Sequence, residues 1–257
     1  MTFSIITVCY NAVKELEKTI LSVINQDCED FEFIIIDGGS SLETQEIIKQ
    51  YRDNIDVFIS EADKGIYDAM NKGVIHASGD YCIMMNTDDT FVNKRTLSRV
   101  HSIMKHDNFK SDIYFGNSIV ENEYGVFENT IRDIKLMRYK SVLSHQATFV
   151  RSDLLRNHPF DLKYKYCADY KQLSTLYLNG YSFYRLNICV AVTPIASGAT
   201  YNNYIESTKE HFSILKERGE NVFWKEYKTL FLRILVRLIK RVLPISCLKY
   251  ISKYKVI

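Results

Sequence analysis

The sequence predicts an α/β protein with a mostly parallel, Rossmann-like sheet flanked by helices. Strand-like runs alternate with amphipathic helical stretches from Phe3 to Met85. Each run closes on turn-forming residues, and the fourth, 81–85, is apolar throughout, as strands buried on both faces are.

Residues 3–9 form a β-rich run closed by Tyr10-Asn11, and 13–26 read as a helix presenting Leu16, Ile20, Val23 and Ile24 on one side. A second strand, 31–36, ends in Asp37-Gly38-Gly39-Ser40-Ser41 and leads to a helix over 42–51. A short strand, 57–60, precedes Glu61-Ala62-Asp63-Lys64-Gly65 and a helix over 66–77. The organising strand follows, bounded by Gly79-Asp80 and by Asn86-Thr87-Asp88-Asp89. Strand–helix repetition of this kind implies right-handed crossovers. Beyond it, 93–105 reads as helix, 113–115 as strand, and 118–128 as a hairpin around Asn122 to Gly125. Residues 144–150 suit a strand, Ser152 a helix cap, 169–178 a helix stopped by Asn179-Gly180, and 183–192 paired strands. A loop is expected over 196–203 and a helix over 204–218. An amphipathic basic helix is expected over 224–243, stopped by Pro244. The division predicted is a catalytic domain, 1–218, with halves 1–105 and 106–218, then a helical tail, 219–257.

The chain's net charge of +2 hides an asymmetry. From Trp224 onward nine basic residues face one acidic residue, Glu226, which gives the tail +8 and leaves −6 elsewhere. Such a split points to an acidic-phosphate or membrane-surface partner for the tail, rather than nucleic-acid binding by the whole protein. The amphipathic helix suits an anionic leaflet, which its charge favours, packing on the core, or pairing with another subunit. The six cysteines (9, 28, 82, 167, 189, 247) have no CxxC spacing, which disfavours structural zinc or a disulfide framework and fits a reducing cytoplasm. No signal-peptide pattern opens the chain, and no uncharged run reaches spanning length.

Tyr10 and Asn11, Asp37, Asp63 and Lys64, and Asn86 to Asp89 all follow strands. They should therefore meet at the carboxyl edge of the sheet, where open α/β folds bind ligands. Adjacent Asp88 and Asp89 invite a hard divalent cation, Mg2+ or Mn2+, although they also suit a turn that caps the next helix. No GxGxxG follows the first strand, no GxxxxGK[ST] occurs, and no Gly-rich basic loop is present. These absences disfavour a dinucleotide fold and a nucleotidyltransferase. An aromatic, carboxylates and a metal at one edge describe a nucleoside-diphosphate pocket.

Four segments, SIITVCYN, IIIDGGSSLET, ADKGIYDAMNKG and GDYCIMMNTDD, together resemble family 2 glycosyltransferases of the GT-A fold, especially the bacterial enzymes that build surface polysaccharide. The likeness is strong over 2–105 and weaker to about residue 215. It implies inverting transfer from a nucleotide-sugar donor, UDP-linked, to a hydroxyl of a glycan or polyprenyl-diphosphate-linked acceptor. The enzyme would be peripheral on the inner face of the cell membrane. Asn86-Thr87-Asp88 stands at the DxD metal motif, with Asn86 departing from the usual first Asp. By the same resemblance Asp37 reads the base, Asp63 and Lys64 line base and diphosphate, and His145 lies near donor sugar or acceptor. Asp169 matches the catalytic base, with Ala168 replacing a preceding acid; its other reading is a first-turn helix carboxylate. Asp37 equally suits an Asx-turn before Gly38.

Overall fold

The computed structural model describes residues 2–122, 125–131, 133–194, 203–222, 228–232 and 234–235. Four strands, β1 (Phe3–Cys9), β2 (Phe31–Asp37), β3 (Val57–Ser60) and β4 (Tyr81–Met84), pair in parallel in the order β3-β2-β1-β4. Their crossovers are α1 (Val13–Ile24), α2 (Leu42–Gln50) and α3 (Ile66–His76). The parallel expectation holds here because each of β1, β2 and β3 is followed by a helix long enough to return the chain to the starting edge.

After β4 the polarity changes. β5 (Thr90–Phe91), α4 (Thr96–His106), β6 (Ile113–Asn122), β7 (Gly125–Asn129), β8 (Thr148–Arg151), α5 (Ser152–Asn157), α6 (Ala168–Leu178), β9 (Phe183–Pro194) and α7 (Tyr204–Glu217) follow in sequence. β8 runs antiparallel between β4 and β6, β9 runs parallel to β6, and β5 closes the far edge antiparallel to β9. β7 folds back on β6 as the expected hairpin. The two halves expected from the sequence thus share one sheet, joined through β4 and β8.

Helices cover both sides. Leu16, Ile20 and Val23 of α1, Ile48 of α2 and Val100 of α4 pack on one side with Phe3, Ile5 and Phe149. Tyr67, Met70 and Val74 of α3, Leu155 of α5 and Leu173 of α6 pack on the other. Gly73 lets α3 lie close on β1, because a Cβ there would collide with Ile6.

Several local expectations change. Ser152 starts α5 but does not cap it; its hydroxyl donates to the Gly79 carbonyl, tying α5 to the bend that leads into β4. Residues 145–147 make a 3-10 turn before β8, held by Thr148 Oγ1 donating to the Ser144 carbonyl. Residues 183–194 form one strand in place of two; register shifts opposite Asn117 and a left-handed Asn187 bend it without ending it. Asp88 and Asp89 do not cap α4; the Asn93 side chain accepts from the Arg95 amide, and Thr96 bonds back to Asn93. The expected loop at 196–203 lies almost wholly outside the described residues, as does most of the tail helix, of which 228–232 and 234–235 are helical. Cys9 and Cys82 are buried strand residues, as expected.

Candidate active site

The carboxyl ends of β1, β2, β3 and β4 form one rim, because parallel strands in register end together. Cys9 pairs with Asp37, and Asp37 with Ser60. Hydrogen bonds stitch the turns above them. The Asn11 side chain accepts from the Ser41 amide at 2.8 Å, and its own amide donates to Ser40 Oγ at 2.8 Å. Thr87 Oγ1 donates to the Val8 carbonyl at 2.8 Å. Asp37 is fully buried; its carboxylate accepts from the Ser40 amide and from Ser60 Oγ at 2.6 Å, so it performs the turn-anchoring role. Asn11, Asp37 and Thr87 therefore build the rim, while Tyr10, at 67% exposure, Asp63 and Lys64 stand on it.

Asp169 enters from the other half of the sheet. It lies in the first turn of α6, where the helix dipole favours a carboxylate. Tyr67 Oη donates to its Oδ1 at 3.0 Å, and His145 Nδ1 lies 3.1 Å from Oδ2. Burial works against charge on Asp169, yet the His145 bond and charge, the Tyr170 amide and the Tyr67 hydroxyl hold its pKa below the ordinary carboxylate value. Burial likewise opposes charge on His145, but Asp169 and then Asp89 outweigh it and raise its pKa. Glu210 on α7 steadies the approach to α6 by accepting the backbone amides of Lys165, Tyr166 and Cys167.

His145 also reaches the rim. Its Nε2 is 3.0 Å from Asn86 Nδ2, so one imidazole links the residue after β4 to the carboxylate on α6. Asn86 Oδ1 is buried and has no hydrogen-bond partner. Neutral His145 accepts from the Asn86 amide through Nε2; protonated His145 needs an acceptor there, which Asn86 Oδ1 supplies once the amide rotates. A small pocket beside the pair is walled by Met84, Thr148, Phe160, Gln172 and Leu173.

The two expected metal ligands differ. Asp88 has φ of 77°, strained for a non-glycine residue, and its carboxylate meets Lys18 Nζ at 3.3 Å on the rim. Asp89 is 6% exposed, and burial pushes its pKa up to about 7 against the pull of His145 and a Gln146 hydrogen bond. Among the described residues no group of three ligating side chains forms a ready cage. One carboxylate, Asp88, with the unpartnered Asn86 Oδ1 nearby in sequence, fits an ion that takes its remaining ligands from donor phosphates and water.

Sequence reasoning did not single out Tyr67, Lys18 or Glu210. Tyr67 carried a signal in hindsight, a tyrosine in the first turn of a helix that itself starts at the rim. Lys18 and Glu210 sit on ordinary helix surfaces and carried none. His211 stacks on Tyr170 at 4.6 Å and reaches the Tyr139 carbonyl, which gives it a packing role in α7.

Solved structures share this architecture. S. aureus TarS in complex with UDP-GlcNAc superposes with a TM-score of 0.66 at 20% identity, over 83% of this chain and 66% of that one. The Pyrobaculum calidifontis mannosyltransferase PcManGT, in complex with GDP-Man and Mn2+, gives 0.65 at 15% identity, over 85% of this chain and 64% of that one. The class is thus the GT-A fold, as the sequence resemblance implied. Residues 4–155 match the profile of glycosyl transferase family 2, and the chain belongs to that family. A PGL/p-HBAD biosynthesis glycosyltransferase of Mycobacterium bovis is 32% identical over 173 residues, 65% of this chain and 66% of that protein. An uncharacterized glycosyltransferase of Methanocaldococcus jannaschii is 29% identical over 275 aligned positions, covering 98% of this chain and 93% of its own length. The chain spans just under two thirds of the length of the mycobacterial relative.

Proposed function

We propose that this protein moves a sugar from a nucleotide-diphosphate donor to an acceptor hydroxyl with inversion at the anomeric carbon. The observation that carries the reading is the continuous connection Asn86–His145–Asp169–Tyr67, which joins the donor-side strand end to a carboxylate on the acceptor-side helix. Family membership and neighbours solved with UDP-GlcNAc and GDP-Man support a nucleotide-sugar donor.

In this reading Asp169 accepts the acceptor's proton as its oxygen attacks in line. Tyr67 and His145 fix the carboxylate's orientation by occupying one oxygen each, which leaves further lone pairs for the incoming hydroxyl. Asp88 would hold Mn2+ or Mg2+, whose charge offsets that developing on the leaving diphosphate. A second reading makes His145 the proton acceptor, favoured by its raised pKa beside a carboxylate. Its Nε2 is committed to Asn86, and that favours Asp169.

The acceptor we assign is a glycan or polyprenyl-diphosphate-linked glycan of surface polysaccharide. The basic tail would bring the enzyme to the anionic cytoplasmic leaflet, with Phe231, Leu232, Ile234 and Leu235 exposed for insertion. No described helix is long and apolar enough to cross a membrane. A thermal-shift series with UDP-, GDP- and dTDP-sugars, with and without Mn2+, tests the donor class. Stabilisation by one donor, deepened by Mn2+, is expected, and no shift with any of them would count against it.

A further inference from the structure

The chain between β7 and β8 makes a 3-10 turn, Ile134–Arg138, that lies against α6. Its placement is fixed from within. Met137 is 1% exposed and packs in the core with Ile131 and Leu143. The Asp133 carboxylate caps the turn by accepting the Lys135 amide at 2.9 Å. Tyr170 Oη donates to the Arg138 carbonyl at 3.1 Å, and His211 Nε2 donates to the Tyr139 carbonyl at 2.9 Å. These bonds hold the turn to α6 and α7 by its backbone.

What it presents outward is cation beside apolar surface. Residues three apart in a 3-10 turn lie on one side of it. Leu136 and Tyr139, 37% and 46% exposed, share one side, and Lys135 and Arg138 share the next. Lys140 follows and is exposed as well. Neither Lys135 nor Lys140 has an ion-pair partner among the described residues. Arg138 lies over the Tyr139 ring and pairs with Glu220 at 2.9 Å.

That ion pair locates the turn. Glu220 lies just past α7, and Val222 beside it is buried with Phe212 and Leu215 of α7. Trp224, where the basic stretch opens, is four positions after Glu220 in the sequence. The turn therefore sits beside the root of the tail, and both carry cations next to exposed apolar side chains.

We propose that residues 134–140 form a second contact with an anionic lipid surface, acting together with the tail; this rests on the membrane reading of the tail above. Lys135 and Lys140 meet anionic headgroups, while Leu136 and Tyr139 enter the boundary between headgroup and acyl chain. A soluble phosphate would satisfy the lysines alone, whereas a lipid surface matches the cations and the apolar pair at once. Two unpaired lysines are too few to hold the protein without the tail. Once the tail is bound, the turn's contact is intramolecular and adds to the whole. Tyr170 adjoins Asp169, so a docked turn also sets the helix of the proposed base at the lipid surface.

Sedimentation of the full chain with vesicles of phosphatidylglycerol and phosphatidylcholine tests this, comparing wild type with Lys135→Gln/Lys140→Gln and with Leu136→Ser/Tyr139→Ser. All four side chains are exposed, so neither variant disturbs the fold. Each lysine at an anionic surface is worth about fivefold in partition at low salt. The lysine variant should therefore bind at least about tenfold more weakly, with a deficit that shrinks as salt rises. The serine variant should bind about tenfold more weakly at low and high salt alike. Partition equal to wild type in both variants overturns the inference while leaving the tail as the anchor. A deficit in the lysine variant alone overturns the insertion of Leu136 and Tyr139. Binding competed away by inorganic phosphate at constant ionic strength would assign the lysines to a discrete phosphate site and overturn the lipid assignment. Wild type that stays in the supernatant with these vesicles overturns the membrane reading, and this inference with it.

Discussion

His145 Nδ1 and Asp169 Oδ2 stand 3.1 Å apart, the first in the turn before β8 and the second in the first turn of α6. Each is about one-fifth exposed, so water screens the pair in part without dissolving it. The contact holds the proposed base to the rim that carries Asn86. If His145 orients Asp169, His145→Gln should lower kcat by about 5- to 50-fold with a smaller change in donor affinity. A loss as deep as that of an Asp169 variant would instead support His145 as the proton acceptor.

The same pair fixes a pH window for stability. His145 is raised, so its contribution is full below its unfolded pKa and fades as pH rises through the folded one. Asp169 is lowered, so its contribution is present above its unfolded pKa and fades as pH falls through the folded one. The Tm difference between wild type and His145→Gln should therefore peak at about pH 5 to 6 and shrink by about pH 8. A difference that grows with pH would contradict the pairing.

Asp89 has the opposite interest for stability, because burial resists its charge. Its pKa of about 7 means that folding is favoured while it is protonated and loses support as pH rises through that value. Asp89→Asn should melt several degrees above wild type at about pH 8 and close to it at about pH 5. Equal melting at both values would show that Asp89 is charged and satisfied throughout.

Chelation should abolish sugar transfer, and Mn2+ should restore it. Asp88→Asn should raise the Mn2+ needed for half-maximal activity by about tenfold or more. Its partner Lys18 gives a control, since Lys18→Met removes the ion pair while leaving the carboxylate in place. Activity indifferent to EDTA would remove the ion from the account.

Deleting residues 224–257 should abolish sedimentation with vesicles that contain anionic phosphatidylserine or phosphatidylglycerol, and wild-type sedimentation should weaken as salt rises. A truncated chain that still sediments would show that the tail is not the anchor.

The parallel half of the sheet was legible because each strand carries its own apolar run and each crossover its own amphipathic period, as in 31–37 and 66–76. The second half was less so. β6 and β9 read as fragments because Gly116, Asn117 and Asn187 interrupt their patterns, yet pairing across the sheet overrides those breaks. At the site, the sequence pattern placed Tyr10, Asp63, Asn86 and Asp88 just after β1, β3 and β4, on the edge those strands share. What the sequence could not show was which oxygens were already engaged. Asp37 and Asp63 look equivalent as letters, and only burial and the Ser40, Ser60 and Gly65 bonds separate them. The Tyr67 contact spans 102 positions, beyond the reach of any local pattern.

The most direct test of the proposed chemistry compares binding with turnover in Asp169→Asn. The substitution keeps the side chain's shape and its place beside Tyr67 while removing its power to take a proton. Titration should give wild-type affinity for the nucleotide diphosphate, and sugar transfer should fall at least about a hundredfold. Transfer at the wild-type rate by a variant that binds its donor normally would contradict the assignment.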